Sequence, residues 1–291
     1  MKPEQQKKIL GQIIKLIEDN GSNWIKPWKG GSLVRPYNAS SNRKYSGINI
    51  LILACQGYSD PRWDTYNGWK KNGHQVARGE KSTTILAPRT FKTVDDSGNE
   101  EFVVNGFRPV SVFNAQQAGL EPLPEPKPVE RPSAEPIPAI EEFIKNTGAD
   151  IRIGGDVAAY YPSFDYIRLP ALSDFIDTPT SSAVECYYST ALHELVHWTG
   201  SKTRLKRLTN AGFGTKDYAK EELVAELGAC FLCLELDISS QPRPDHAAYL
   251  SSWLEKLKGK DGWTFLTEAQ KKANKAVSFL TDLQVQQEKA A

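Results

Sequence analysis

Residues 182–200 read Ser-Ala-Val-Glu-Cys-Tyr-Tyr-Ser-Thr-Ala-Leu-His-Glu-Leu-Val-His-Trp-Thr-Gly, and this stretch contains the most specific pattern in the chain. Ser182 and Glu185 have capping-box spacing, which predicts a helix beginning near Ser182, and Gly200 is a plausible end signal. Residues four apart share a helix face, so His193 and His197 project together. Two imidazoles on one face predict one bound divalent metal ion, with zinc expected and Mn²⁺ or another divalent ion as the alternatives.

Glu194 lies between the two histidines and is poorly placed to be a third ligand. Its carboxylate is suited to act as the general base of a metallopeptidase. A catalytic zinc usually has three protein ligands, for which Glu222 is our candidate and His246 an alternative. Carboxylates on an apolar helix face need a cation or hydrogen-bond donors. We therefore predict Glu222 as the third ligand and Glu226 as an acceptor that orients a ligand histidine, with Glu221 on a solvated acidic face.

Three tyrosines are candidates for stabilising an oxyanion or contacting a substrate, namely Tyr160, Tyr161 and Tyr218. The first two lie in residues 156–170, which are predicted to form a β-hairpin ahead of the metal helix. An edge strand at this place in a metallopeptidase pairs with an extended substrate. Ordinary amphipathic tyrosines are the alternative interpretation for each of the three.

The 291 residues carry a formal net charge of +1 that is unevenly distributed. Residues 1–115 contain 17 Lys and Arg against 10 Asp and Glu, a net of +7, and residues 116–291 contain the remaining 19 against 25, a net of −6. Seven of the 18 prolines fall in residues 121–138, which predicts an extended linker, with a partner-binding segment as the alternative. We predict an α+β protein with domains at 1–120 and 139–291, joined by this linker.

The composition excludes several classes of protein. Hydrophobic residues make up 40% and charged residues 24%, as in soluble globular proteins. The sequence has no run of eighteen apolar residues, no apolar signal core near its start and too few cysteines for a disulfide scaffold. These features predict a cytoplasmic protein without a membrane partner.

The basic half mixes cationic and aromatic residues in the way typical of proteins that hold single-stranded nucleic acid. Rings stack on bases while lysine and arginine follow the phosphates. Trp63, Tyr66 and Trp69 also have helical spacing, which would place at least one of them in the core instead. The candidates for DNA binding are Trp24, Trp28, Lys29, Arg43, Lys44, Tyr45, Trp63, Trp69, Lys70, Lys71, Arg78 and Lys81.

The apolar pattern of the basic half predicts mixed secondary structure. We expect a helix over residues 3–19 and a buried helix over 47–55. The expected strands are residues 83–87, 102–104 and 110–113, with a hairpin turn at 95–99.

Taken as a whole, the chain resembles the ArdC family of plasmid-encoded antirestriction proteins over nearly its full length. The motifs that carry the resemblance are Tyr45–Asn49, Trp63 with Thr65, Gly73–Lys81, Val112–Asn114, His193–Gly200, Arg204-Leu205 and Tyr218–Glu226. The resemblance implies an N-terminal domain that binds single-stranded DNA and a C-terminal zincin-like metallopeptidase domain similar to SprT-type proteases. It also implies a bacterial protein, carried on conjugative plasmids, that helps incoming DNA to survive host restriction. SprT-type sites usually take a third histidine, which has no counterpart here, and this favours Glu222.

Three functions are compatible with these features. The first is a zinc-dependent metallopeptidase that is tethered to DNA and cleaves an unidentified protein substrate. The second is a non-enzymatic protein that coats single-stranded DNA and has a structural metal, and the third is a replication or primase accessory protein. Glu194 favours the first over the second, because a structural metal site does not need a general base.

Overall fold

The computed structural model describes residues 2–21, 35–94, 100–124, 135–178, 181–209, 215–238 and 247–290. They belong to two compact units, Met1–Ile13 with Val34–Glu125 and Ile14–Leu33 with Pro126–Ala291. Both helices and sheets are present, which confirms the predicted α+β class. No helix within the described ranges has the length and apolar character needed to cross a membrane. Several predictions fall outside these ranges, namely Trp24, Trp28, Lys29, His246, the turn at 95–99 and residues 125–134 of the predicted linker.

The helices of the N-terminal half follow their apolar patterns. Helix α1 (Pro3–Asn20) buries Ile9, Ile13 and Ile17, which recur once per turn. The predicted buried helix is α2 (Ile48–Ala54), and a short α3 (Tyr66–Lys71) follows. Thr65 caps α3 by accepting a hydrogen bond from the amide of Gly68 at 3.0 Å.

The sheet of the first unit has the strand order β1-β2-β4-β3. Its strands are β1 (Tyr37–Asn38), β2 (Arg62–Asp64), β3 (Thr83–Val94) and β4 (Glu100–Asn114). Strands β1 and β2 run parallel, and the other neighbours are antiparallel. The three short strands that the sequence predicted are therefore parts of two long, paired strands.

The second unit consists mainly of helices beside a small sheet. Its helices are α4 (Pro138–Asn146), α5 (Ala183–Thr199), α6 (Lys216–Glu235), α7 (Ala247–Lys258) and α8 (Gly262–Ala290). The strands β5 (Asp150–Ile153), β6 (Ala159–Tyr161) and β7 (Tyr166–Leu169) pair in the order β5-β7-β6. Strands β6 and β7 form the predicted hairpin, and β6 lies at the edge of this three-stranded sheet.

Helix α5 begins as the sequence predicted and packs closely against α6. Ser182 accepts a hydrogen bond from the amide of Glu185, whose side chain in turn accepts one from the amide of Ser182 at 3.0 Å. Gly228 of α6 faces Val196 of α5 so closely that a Cβ atom at position 228 would lie 2.8 Å from a valine methyl group. The missing side chain therefore allows the two helices to approach each other.

Candidate metal centre and nucleic-acid surface

Three side chains from α5 and α6 converge on one point. The Nε2 atoms of His193 and His197 lie 3.1 Å apart. Glu222 places one oxygen 3.5 Å from Nε2 of His193 and the other 3.4 Å from Nε2 of His197. Throughout the described part of the chain, this is the only group of three or more His, Cys, Asp and Glu side chains close enough to hold a metal ion.

The charges around these ligand atoms fit a divalent cation. Burial lowers the pKa of His193, which favours the neutral imidazole that binds metals. Burial acts in the same direction on His197, but Glu222 and Glu221 outweigh it and raise the pKa of His197 to about 10. Glu222 is buried as well, yet the two histidines hold its pKa far below the usual value. Two imidazole nitrogens and one carboxylate are a known donor set of catalytic zinc sites.

Glu221 lies in an ion pair rather than on the predicted solvated face. Its Oε1 is 3.2 Å from Nδ1 of His197, and Arg207 contacts both carboxylate oxygens at distances of 2.8 to 3.1 Å. The side chain is only 13% exposed. Although burial acts to raise the pKa of Glu221, His197 and Arg207 lower it overall. The expectation of a solvated Glu221 was wrong, because an arginine distant in sequence compensates its charge.

Glu226 is buried one turn beyond Glu222 on α6. We predicted it as the acceptor that orients a ligand histidine. Glu221, and not Glu226, is the residue that lies at Nδ1 of His197. Nδ1 of His193 makes no hydrogen bond to any residue that the structure describes, so the predicted role of Glu226 as the acceptor of a ligand histidine was wrong.

Glu194 contacts the edge strand. Its Oε2 accepts a hydrogen bond from the backbone N–H of Tyr160 in β6 at 2.7 Å, and its side chain is buried. A cleft of about 420 Å³ opens beside this contact. Its walls include Glu194, His197 and Glu222, together with Tyr160 and Tyr218.

The three candidate tyrosines occupy different places. Successive residues of a strand point to opposite faces of the sheet, so the side chains of Tyr160 and Tyr161 diverge. Tyr161 stacks on Tyr166 with ring centroids 4.8 Å apart and does not line the cleft. The prediction of a substrate contact was therefore wrong for the Tyr161 side chain. Tyr218 lines the cleft from α6 and remains a candidate.

The hydroxyl of Tyr160 takes part in a polar cluster at the end of α5. It lies 2.8 Å from Asp165 and accepts a hydrogen bond from Arg204 at 3.1 Å. Burial, followed by the nearby carboxylate, raises the pKa of Tyr160 to about 12. Arg204 also pairs with Asp165, donates to the carbonyl of Trp198 at 2.7 Å and lies 3.8 Å above the Trp198 ring. This cluster holds the hairpin against the helix that carries the histidines.

Trp63 and Trp69 belong to the core of the first unit. Each is 2% exposed. Trp69 donates through Nε1 to the carbonyl of Phe113 at 2.9 Å and packs against Val76, Ala115 and Ala118. The prediction that these two rings stack on DNA was wrong, because the sheet and α3 need them as packing residues.

The predicted cationic residues that the structure describes remain at the surface. These are Arg43, Lys44, Lys70, Lys71, Arg78 and Lys81, while Tyr45 is half-buried. Tyr66, at the start of α3, is 44% exposed and is the aromatic side chain that the helical pattern leaves accessible. Among the predicted DNA-binding residues that the structure describes, the cations thus stay at the surface, while Trp63 and Trp69 turn inward.

Buried Asp64 brings two of the basic segments together. Its carboxylate accepts hydrogen bonds from the side chain of Asn38 and the amide of Ser40, both at 3.0 Å. Asn72, which follows α3, donates to the hydroxyl of Ser40 at 3.0 Å. The turn that carries Arg43 and Lys44 is thereby fixed beside the end of α3, which carries Lys70 and Lys71.

Family models match both halves of the chain. Residues 3–115 match the N-terminal domain of anti-restriction factor ArdC. Residues 138–270 match a zincin-like metallopeptidase domain.

Solved structures of the antirestriction protein ArdC from plasmid R388 are similar over almost the whole chain. The metal-free structure has 33% sequence identity and a TM-score of 0.74, and it covers 96% of this chain and 97% of its own. The Mn(II)-bound structure has 32% identity and a TM-score of 0.73 with the same coverage.

Two curated proteins are also similar. The uncharacterized protein y4eC of Sinorhizobium fredii is 36% identical over 267 residues, which cover 86% of this chain and 83% of that protein. The DNA primase TraC of Escherichia coli is 37% identical over 271 residues, which cover 86% of this chain but 24% of that protein. The chain therefore spans most of one relative and about a quarter of the other.

Proposed function

Because the chain belongs to the ArdC family of antirestriction proteins, we propose that it protects incoming plasmid DNA in the bacterial cytoplasm by combining single-strand binding with metal-dependent peptide hydrolysis. The zincin-like domain and the Mn(II)-bound relative support a divalent metal. The observation that carries the hydrolytic part is the hydrogen bond from the Tyr160 amide to Glu194, beside the cluster of ligand atoms.

We assign the metal, one ion per chain, to His193, His197 and Glu222. The donor set favours zinc, and the relative binds Mn(II). When bound, such an ion supplies a Lewis acid that polarises the carbonyl of a scissile peptide bond. The residues around it carry out the rest of the chemistry.

Glu194 is the proposed general base. Its carboxylate takes a proton from the attacking water and returns it to the leaving amine. The amide of Tyr160 holds one carboxylate oxygen, which restricts the orientation of the base. A non-catalytic metal site has no need of a carboxylate that is fixed in this way.

The cleft supports an extended peptide as the substrate. Strand β6 is an edge strand beside Glu194, so a peptide can add to it by β-augmentation through backbone groups other than the Tyr160 N–H, which already donates to Glu194. Tyr218 lines the cleft and is the proposed donor to the oxyanion. The hydroxyl of Tyr160 is less suited to this role, because Asp165 and Arg204 already bind it.

We propose that the first unit binds single-stranded DNA through its exposed cations. Arg43, Lys44, Lys70 and Lys71 form one basic region, which Asp64 and Asn72 organise. Tyr66 is an exposed ring close to this region that could stack on a base. This binding would be salt-dependent and only weakly selective for sequence.

A second candidate function is assistance to a primase. The region similar to this chain forms part of the DNA primase TraC. This similarity favours a role in binding single-stranded DNA during replication. In that case the chain would act by holding DNA, and hydrolysis would be dispensable.

The Glu194→Gln variant tests the proposal. It keeps the size of the side chain and both histidines, and it should lower peptidase activity by about 10²- to 10⁴-fold. We would measure cleavage of a peptide library by mass spectrometry, metal content, single-strand binding and protection of a transferred plasmid from restriction. The exposed Glu142→Gln change on α4 is the matched control.

The outcomes separate the candidates. Loss of both cleavage and protection, with DNA binding unchanged, would support protection by proteolysis. Protection that survives the loss of cleavage would favour coating of DNA or a primase-related role. Full cleavage activity in Glu194→Gln would remove the general-base assignment.

A further inference from the structure

We infer that Arg207 is a positioning residue of the metal centre, which holds Glu221 as the hydrogen-bond acceptor of His197 and joins the two helices that carry the ligands. The inference rests on the metal centre of the proposed function but not on its peptidase activity. Arg207 follows α5 in the chain and belongs to neither helix.

The guanidinium of Arg207 makes contacts in three directions. Nε and Nη2 each lie 2.8 Å from an oxygen of Glu221. Nη2 also donates to the carbonyl of Val196 at 2.6 Å, and Nη1 donates to the hydroxyl of Thr199 at 3.1 Å. The side chain is 4% exposed. A planar fork of N–H donors can bind both oxygens of a carboxylate and still reach a helix end, and the ammonium of a lysine does not reproduce this two-pronged geometry.

These contacts bracket the metal ligands on both helices. Val196 and Thr199 flank His197 in the last turn of α5. Glu221 precedes Glu222 on α6. A single side chain therefore fixes the turn that carries one ligand and the residue next to another. Residues that contact a metal-binding histidine without binding the metal set the orientation and hydrogen bonding of that histidine.

The space left by Gly200 is a second observation that supports this position of Arg207. A Cβ atom at position 200 would lie 3.0 Å from Nη2 of Arg207 and 2.9 Å from Cγ of Leu208. The carbonyl of Gly200 accepts hydrogen bonds from the amides of Arg207 and Leu208 at 2.8 and 2.9 Å. Since Gly200 has φ −78°, it provides space for the returning segment rather than an unusual backbone conformation.

Arg204 provides the matched comparison. It also lies beyond α5, is 11% exposed and donates to a carbonyl of the last turn, that of Trp198. Its ion pair is made with Asp165 of the β6–β7 turn and not with a residue of α6. Loss of Arg204 should therefore reduce stability without disturbing the acceptor of His197.

The test is Mn(II) titration calorimetry on the full chain, with the unfolding temperature of the metal-free protein measured in parallel. Arg207→Met and Glu221→Gln should each weaken Mn(II) binding by about 10- to 100-fold. The double variant should bind no more weakly than the weaker single variant, because the two residues act through one contact. Arg204→Met should unfold at a lower temperature but keep its Mn(II) affinity within about twofold.

Three results would overturn the inference. These are wild-type affinity in Arg207→Met, an equal loss in Arg204→Met, and additive losses in the double variant. If Arg207→Met does not fold, Arg207→Lys and Gly200→Ala replace it, and wild-type affinity in both would also refute the role.

The same titration separates this inference from the proposed function. A wild-type chain that binds neither Mn(II) nor Zn(II) would refute the metal centre and this role with it. A chain that binds Mn(II) and depends on Arg207, yet cleaves no peptide, would support the inference and contradict the proposed hydrolysis.

Discussion

The two halves of the molecule differ in what their conspicuous residues do. In the second unit, two helices bring together His193, His197 and Glu222, so the predicted metal ligands meet at one point. In the first unit, Trp63 and Trp69 are conspicuous in the sequence but lie in the core. The lysines and arginines around them stay at the surface.

The difference reflects how each pattern arises. Metal binding requires defined donor atoms at a fixed spacing, so a match is hard to produce in any other way. Nucleic-acid binding by stacking requires only rings and charges near one another, and a packed core also uses rings. A tryptophan is therefore compatible with the core and with a DNA-binding surface, whereas the paired histidines indicate a metal site.

The largest expected effect tests the structural role of Trp69. Trp69→Ala should destabilise the first unit by about 3–5 kcal/mol, because it removes a buried ring and the hydrogen bond to Phe113. Urea-dependent hydrogen exchange of peptides from residues 35–124 measures this loss. Exposed Tyr66→Ala is the control and should cost far less. A stable Trp69→Ala protein with impaired DNA binding would restore the stacking role.

The next prediction compares the two carboxylates of α6. Glu222→Ala should reduce Mn(II) affinity by more than about 100-fold. This loss exceeds the effect of removing a residue that contacts a metal ligand without binding the metal itself. Glu226→Ala should reduce the affinity by less than about 10-fold, because Glu226 is not the acceptor of Nδ1 in either histidine. Equilibrium dialysis with atomic absorption gives both numbers. Equal affinities in the two variants would contradict Glu222 as the third ligand.

A smaller effect is expected at the basic end of α3. Changing Lys70 and Lys71 to alanine removes two exposed charges, so the slope of log affinity for single-stranded DNA against log salt should flatten by about 1.4. Fluorescence anisotropy at several salt concentrations measures the slope. The exposed lysines of α8, Lys271 and Lys275, are the control pair. An identical slope in both double variants would place the DNA elsewhere.

The smallest expected effect concerns the pH dependence of the Asp165–Arg204 pair. The hydrogen bond from Arg204 lowers the pKa of Asp165 below its usual value. The pair therefore stabilises the second unit above about pH 3.9, the value of a free aspartate, and the stabilisation disappears as pH falls through the lower pKa of the folded state. Asp165→Asn should be less stable by under about 1 kcal/mol at pH 7 and match the wild type in strong acid. Unfolding by urea at several pH values measures the difference, and a gap that grows in acid would contradict it.

Local signals in the sequence predicted much of the fold. The capping box at Ser182, the apolar period of α1 and the hairpin of β6 and β7 depend on neighbours in sequence, and each was found in the expected place. The family resemblance was confirmed as well. Exact bounds were less predictable, because pairing between β3 and β4 lengthens both strands beyond their apolar centres.

Contacts between distant residues could not be predicted. Nothing near Glu221 indicates Arg207, which lies 14 residues away and reaches it through the returning segment after α5. Asp64 gives no local sign that it will hold the turn at Ser40, 24 residues earlier. In both cases a charged residue is buried because its partners arrive from another element, and composition alone would place it in solvent.

The close approach at Gly228 also has a consequence for how this protein family diverges. Because a side chain at position 228 would meet Val196, the two positions share one small volume next to His197. A larger residue at position 228 is compatible with the same helix spacing only if the residue at position 196 becomes smaller than valine. The residues at positions 196 and 228 should therefore change together among related sequences. Such paired changes would preserve the distance between His197 and Glu222, although neither of the two residues is itself a metal ligand.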